Sequence, residues 1–204
     1  MNFGKSHLGL LLASVTAIGS AAHADLIAGP ALITPSTSLS IFNFGAQTFP
    51  VSQIADGIRA VDNALNGFAS FDASGTITLD LNGDFDLSSF VLWNDVNVLA
   101  EGIKDFQLKF YDAGDALIST SLTLTGPVGQ LSPQTYLFDA VVRGVSKVEL
   151  DVLSSNVGVV THIEIREVAF NGTPSAVPVP AALWLLVSAV GGLGLAGRRR
   201  RVSA

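Results

Sequence analysis

The sequence contains no cysteine. Disulfides, thiolate zinc sites, iron–sulfur clusters and thiol nucleophiles are therefore excluded. Histidine is scarce: His7 and His23 lie near the start, and His162 is the only one beyond them. A Ser-His-Asp triad would have to use His162, and no G-x-S-x-G motif is present. His162 reads most simply as a residue at a strand start. Charged residues make up only 14% of the chain, and all 17 acidic residues fall between Asp25 and Glu167. No internal repeat of solenoid length is visible.

The two ends are uncharged apart from short basic clusters. Lys5 gives a basic n-region, Leu8 to Ile18 an apolar h-region, and Ala22-His23-Ala24 an A-x-A site. This pattern predicts a secretory signal peptide over 1–24, cut before Asp25. An N-terminal anchor is the alternative, but the apolar core is too short to span. At the other end, Pro178-Val179-Pro180 precedes an uncharged apolar run, 181–197, and then Arg198, Arg199, Arg200 and Arg201. As a helix the run is about 25 Å long, just enough to cross the hydrocarbon core. The arginines predict a cytoplasmic tail over 198–204, with the preceding residues outside. A bare tail anchor is the simpler reading of this end.

This end resembles the PEP-CTERM sorting signal of Gram-negative bacteria, which has a Pro-x-Pro motif, a hydrophobic segment and an Arg-rich terminus. Pro178 to Trp184 looks like its VPxPAALWL variant, with Val179 where the family often has Glu. The resemblance implies an exosortase as partner and transient anchoring in the inner membrane. It also implies cleavage near the Pro motif and transfer to the cell surface or extracellular matrix.

Between the signals lie residues 25–173, followed by a Pro-containing linker and motif, 174–180. The central segment has room for one domain with a full core, so the lack of disulfides is tolerable. It holds six basic and 17 acidic residues, a balance of −11. That bias argues against nucleic acid or anionic lipid as partner and permits a hard cation.

Residues up to Pro50 predict one edge strand near Leu39 to Phe44, and Ile54 to Leu65 one helical turn within a loop. From Gly75 onward the text is strand-like. Ile77, Leu79 and Leu81 alternate, as do Phe106, Leu108 and Phe110. Leu87 to Trp93 is a denser run. Further strands are predicted at 116–125, 135–142, 145–153 and 161–170. Turn signals stand at Asn82-Gly83-Asp84, Asp112 to Asp115 and Arg143-Gly144. The expected fold class is all-β, an antiparallel jelly-roll sandwich.

The order of pieces resembles the galactose-binding-like, or discoidin/coagulation-factor C-type, jelly roll. They run from Ala55-Asp56-Gly57 through Leu87 to Asp95 and Gly102 to Asp112, ending at Ile163 to Phe170.

Glu167 shares parity with Ile163 and Ile165, so a regular strand would bury its carboxylate. Either a bulge at Val168 leaves it solvated, or a cation binds there. The resemblance implies a structural calcium, with Asp56 and Glu167 as ligands and Asp62 as a further candidate. Carbonyls near Ile58 to Asp62 would complete the oxygen cage. Asp80, Asp84 and Asp86 flank a turn but lack an acidic calcium-loop pattern. Trp93 and Asn94 are candidate sugar-binding residues, and a core role for the tryptophan is the alternative.

These readings describe an exported, non-enzymatic surface protein that binds extracellular polysaccharide or another surface component. A structural matrix or coat protein is the alternative, and a polysaccharide-processing enzyme a weaker one. No pair of carboxylates is singled out for the last.

Overall fold

The computed structural model describes residues 24–59, 65–94, 102–127, 132–156 and 162–176. The expected signal peptide through His23, including Ala22, lies outside them. So do Asp62, the sorting motif Pro178 to Pro180, the 181–197 span and the four arginines. Ala24 is exposed just before the first strand. Among the described residues no helix is long and apolar enough to cross a membrane.

The described chain forms twelve strands and one 3₁₀ turn. The strands are β1 (Asp25–Ile27), β2 (Ile33–Thr37), β3 (Asn43–Phe44), β4 (Gln47–Thr48), β5 (Phe68–Ser70) and β6 (Gly75–Trp93). They continue with β7 (Ile103–Tyr111), β8 (Leu117–Thr120), β9 (Leu124–Thr125), β10 (Gln134–Ser155), β11 (Ile163–Ile165) and β12 (Glu167–Pro174). The 3₁₀ turn spans Val51–Ala55. All the pairings are antiparallel.

Two long strands build the sandwich. The first part of β6 pairs with β2 and with the second part of β10, which continues to β7. The second part of β6 pairs with β12 and with the first part of β10. Each strand therefore serves both layers and turns a corner between them. The corners fall where turns were expected. Register shifts in the β10–β6 ladder cluster between Leu137 and Lys147. Gly144 sits there at φ 68°, a conformation that favours glycine. Asn82 to Asp84 and Arg143-Gly144 thus mark sheet switches instead of hairpin turns.

The alternating residues fill the core. Ile77, Leu79, Phe106, Leu108, Val148 and Leu150 are fully buried from one layer. Leu87, Phe90, Leu92, Val168 and Phe170 come from the other. Phe90 lies 5.3 Å from Phe170 and 5.9 Å from Phe106, so aromatic rings bridge the layers. Among the described residues nearly all of this core forms one contiguous cluster that joins both layers, the organisation of a single folding unit.

The N-terminal strand differs from its expected place. β2 covers 33–37, and Leu39 to Phe42 is not strand. Pro35 obscured it, yet among the described residues β2 pairs only with β6 and lies at an edge, where proline is tolerated. The expected helical turn is a 3₁₀ turn slightly earlier, at 51–55.

The sandwich has two unlike poles. Trp93, Ile103, Thr125, Gln134, Ser155 and Ile163 all end or begin strands at one pole, and successive connections return to it. The corners, the Asp112–Ala116 turn and both ends of the described chain lie at the other. There Asp25 pairs with Gly172, Pro174 pairs with Phe85, and Ser175 N–H donates to Asp84 O at 2.8 Å.

Candidate functional site

Glu167 begins β12 at the loop pole, opposite Trp93 in β6. Arg166 breaks the strand just before it and is itself fully buried, its N–H donating to Trp93 O at 2.9 Å. The break resets the alternation. Val168 and Phe170 face the main core, and Ala169 packs with Val91 and Trp93 in a second small cluster. The expected shift of face at Val168 is present, but the solvated-glutamate alternative is not. Glu167 is fully buried, with the 3₁₀ turn packed against β12 and Gly57 bonded to it.

Sequence-distant residues meet there. Gly57 takes φ 87°, which turns the chain so that its N–H donates to Glu167 Oε1 at 3.1 Å. Asp56 lies next in the chain. Its Oδ1 accepts from Ile58 N–H at 2.8 Å, and its Oδ2 from Asn66 Nδ2 at 2.8 Å. Arg59 Nε stands 4.0 Å from Glu167 Oε1, and its guanidinium carbon lies 5.3 Å over the Trp93 ring. Burial pushes the Glu167 carboxyl up to about 8, and Asp56 adds to the rise. The Gly57 N–H and Arg59 offset this only in part.

Two buried oxygens here, Glu167 Oε2 and Asn66 Oδ1, have no hydrogen-bond partner among the described residues. Buried acceptors without donors are costly, and a hard cation takes oxygen ligands. Asp56, Glu167 and Asn66 therefore form a donor set that fits calcium. Asn66 is not among the ligand candidates that the sequence offers. Among the described residues no three acidic, histidine or cysteine side chains converge.

Trp93 and Asn94 correct the expected sugar-binding pair. Trp93 is only 9% exposed, packed on Val91 and Ala169, with Arg59 over its ring. Asn94 is fully buried. Its Nδ2 donates to Ile103 O at 2.8 Å and to Pro127 O at 2.9 Å, and its Oδ1 accepts from Ile103 N–H at 2.9 Å. The side chain ties three chain segments together and leaves nothing for a ligand.

Two concave regions lie elsewhere. A groove of about 670 Å³ runs between β8 to Leu124 and the first part of β10; its rim carries exposed Leu122 and Leu137. A hollow of about 330 Å³ at the loop pole is lined by Ser74, Ser155, Asn156 and His162 among others. His162 lines this hollow; no sequence motif marks it.

No protein-family model matches the chain, and no curated protein is similar to it. Solved structures are similar in fold. A family 32 carbohydrate-binding module from Streptococcus pneumoniae EndoD aligns with TM-score 0.55 and 15% identity, over 72% of this chain and 98% of that one. The F5/8 type C domain of a Bacteroides fragilis protein aligns with TM-score 0.54 and 10% identity, over 70% and 92%. The family 32 module of C. perfringens NanJ, solved with galactose, gives 0.52 and 15%, over 68% and 93%. The structural neighbours of this chain are F5/8 type C and family 32 galactose-binding-like domains, and its sandwich has their fold.

Proposed function

We propose that this chain is an exported, non-enzymatic surface protein whose sandwich binds carbohydrate through its loop pole. One observation carries the reading. The chain enters and leaves the sandwich at the corner pole, and the strand-end connections gather at the opposite one. A domain held by its C-terminal end therefore turns its loops outward. Loops on a rigid scaffold are where binding residues concentrate. Named neighbours of the same fold are carbohydrate-binding modules, one solved with galactose. That likeness supports binding in preference to catalysis, although fold alone does not assign function.

The sorting half of the proposal rests on the two ends of the sequence. Residues 1–24 direct export, and Pro178-Val179-Pro180 with the apolar run and arginines direct exosortase sorting. A structural calcium would be held by Asp56, Glu167 and Asn66, with Asp62 as a further candidate ligand. It would neutralise the buried Glu167 carboxylate and tie the Asp56–Gly57 turn to β12.

The test pairs localisation with binding. Full-length chain reaches the cell surface, and a chain with Pro178 and Pro180 replaced by alanine is retained at the membrane. The isolated sandwich, residues 25–176, binds members of a glycan array. A folded sandwich that binds no glycan sinks the carbohydrate reading and leaves the matrix or coat protein alternative.

A further inference from the structure

One side of the sandwich is open in both layers. In one layer β8 is the last strand, paired with β7 alone among the described residues. In the other layer the 134–142 part of β10 is last, since it pairs with β6 and meets β7 only from Lys147 onward. The groove of about 670 Å³ lies between these two edges. The Phe110 and Phe138 rings, 5.1 Å apart at 72°, line its apolar floor. Free strand edges are templates for another chain, and proteins usually blunt them with lysine or proline. From Ala116 to Gly126 this edge has no charge and no proline.

The rim is unusually apolar. Leu122 at 80% and Leu137 at 81% are the most exposed large apolar side chains among the described residues, and both stand on this groove. Ile118 and Val141 join them. One exposed leucine is ordinary, but several on one rim mark an interaction surface.

Charge identifies the occupant. Residues 25–173 carry −11, so most of the surface repels a second copy. The groove side does not, because Asp139 and Arg143 are its only charged lining residues and they balance. They flank Val141 at equal spacing, and all three are exposed. A two-fold axis at Val141, perpendicular to the strand, sets Asp139 of each copy against Arg143 of the other and Val141 against Val141. An axis along the strand would set Asp139 against Asp139. The surface is therefore self-complementary in one orientation, as an isologous contact requires. Arg143 can turn to meet a partner, since it is 79% exposed and its contact within the chain is Asp86 at 3.3 Å.

We propose that the groove side is a homophilic interface, on which two copies of this chain pack antiparallel about Val141 and bury Leu122 and Leu137. The 134–142 stretch runs from the loop pole to the corner pole, so the two chain ends then point opposite ways. Copies held on facing surfaces, or in adjoining matrix layers, meet in this way. Both loop poles stay uncovered, so the interface stands independently of the carbohydrate-binding reading.

The experiment is sedimentation velocity of the sandwich, residues 25–176, from micromolar to near-millimolar concentration, with circular dichroism to verify that each variant is folded. Wild type shows a monomer–dimer equilibrium. Asp139→Arg weakens it about tenfold or more, because like charges then face each other twice. Adding Arg143→Asp to that variant restores the wild-type constant, which a misfolded variant cannot do. Leu137→Ser also weakens the dimer about tenfold, through lost apolar contact. The chain has no cysteine, so Val141→Cys supplies its only thiol. On oxidation Val141→Cys forms a disulfide-linked dimer. Leu153→Cys, at a site 47% exposed against 48% for Val141, stays monomeric. A wild type that is monomeric at every concentration overturns the proposal and leaves the groove to another partner. A dimer that survives Asp139→Arg, a loss that Arg143→Asp does not restore, or equal crosslinking at the two cysteine sites overturns the antiparallel interface.

Discussion

Asn94 and Glu167 are both fully buried polar side chains at the loop pole, one residue past and directly opposite Trp93 respectively. They are satisfied very differently. Asn94 uses both ends of its amide within the chain, in three bonds of 2.8 to 2.9 Å. Glu167 has one N–H donor, a guanidinium nitrogen at 4.0 Å and one oxygen with no partner among the described residues. A satisfied buried group specifies the fold. An under-satisfied one stores a cost that a ligand can relieve. The contrast separates a clamp from a site, although both residues look equally anomalous by burial.

The largest effect is expected at the clamp. Asn94→Ala leaves the Ile103 N–H and two carbonyls without their partner, and each buried orphan costs about 1–3 kcal/mol. The expected loss is about 3 kcal/mol in urea unfolding of the isolated sandwich. Neither calcium nor glycan restores it. Packing around it is close, since a Cβ at Gly102 would lie 2.6 Å from Asn94 O and one at Gly126 2.9 Å from Asn94 Nδ2. A variant within 1 kcal/mol of wild type would show that water takes over the bonds and that Asn94 is not a clamp.

Glu167 should behave in the opposite way. Its carboxyl, pushed up to about 8, binds its proton more tightly in the folded chain than in the unfolded one. That contribution is complete below the ordinary carboxyl range and is lost as pH rises from about 4.5 to about 8. Without calcium, the stability of wild type therefore falls across this window, and Glu167→Gln flattens the fall. Calcium restores wild type at pH 8 by about 2.7 kcal/mol at a hundredfold excess over Kd, and leaves Glu167→Gln unmoved. A wild type indifferent to calcium, with a pH slope that Glu167→Gln does not change, would reduce the pair to two structural residues.

Arg59 sharpens the comparison at a smaller scale. It is the only cation within salt-bridge reach of Glu167 among the described residues, and it also covers Trp93. Arg59→Gln should cost about 1 kcal/mol without calcium, through the lost cation–π contact. Because it removes a competing charge, calcium affinity should rise a few-fold. Calorimetry with calcium alone checks this, and a fall in affinity would mean that Arg59 shapes the loop more than it competes.

Much of this arrangement was legible in the sequence. Period-two alternation places Ile77, Leu79, Leu81, Phe106, Leu108 and Phe110 in the core without tertiary information. The anomalous parity of Glu167 marks a buried carboxylate for the same reason. What alternation cannot report is continuity through a corner. β6 and β10 each run unbroken past their turn signals, because the sheet switch occurs inside the strand. Nor can it report which polar loop residue turns inward. Asn94 was a candidate sugar-binding residue, yet three segments converge on it. His162 carries no local pattern at all; only the pairing of β5 with β11 brings it to one hollow with Ser74.

The smallest effect belongs to the corner pole, where a third polar cluster tests the rule outside the site. Asp86 Oδ1 accepts from Ser175 Oγ at 2.6 Å and from Gly144 N–H at 3.0 Å, and Oδ2 lies 3.3 Å from Arg143 Nη1. These partners, with Ser175 foremost, hold its carboxyl below the usual range. The stabilisation is present above the ordinary carboxyl range and disappears as pH falls through the depressed value, the reverse of Glu167. Arg143 is 79% exposed, so its ion pair is screened and Arg143→Ala should change stability by about 0.5 kcal/mol or less. The acid-side stability loss should survive in that variant, because the hydroxyl and the backbone N–H remain. If Arg143→Ala removes the acid-side loss, the ion pair sets the Asp86 carboxyl, and hydrogen-bond satisfaction is not what separates the two poles.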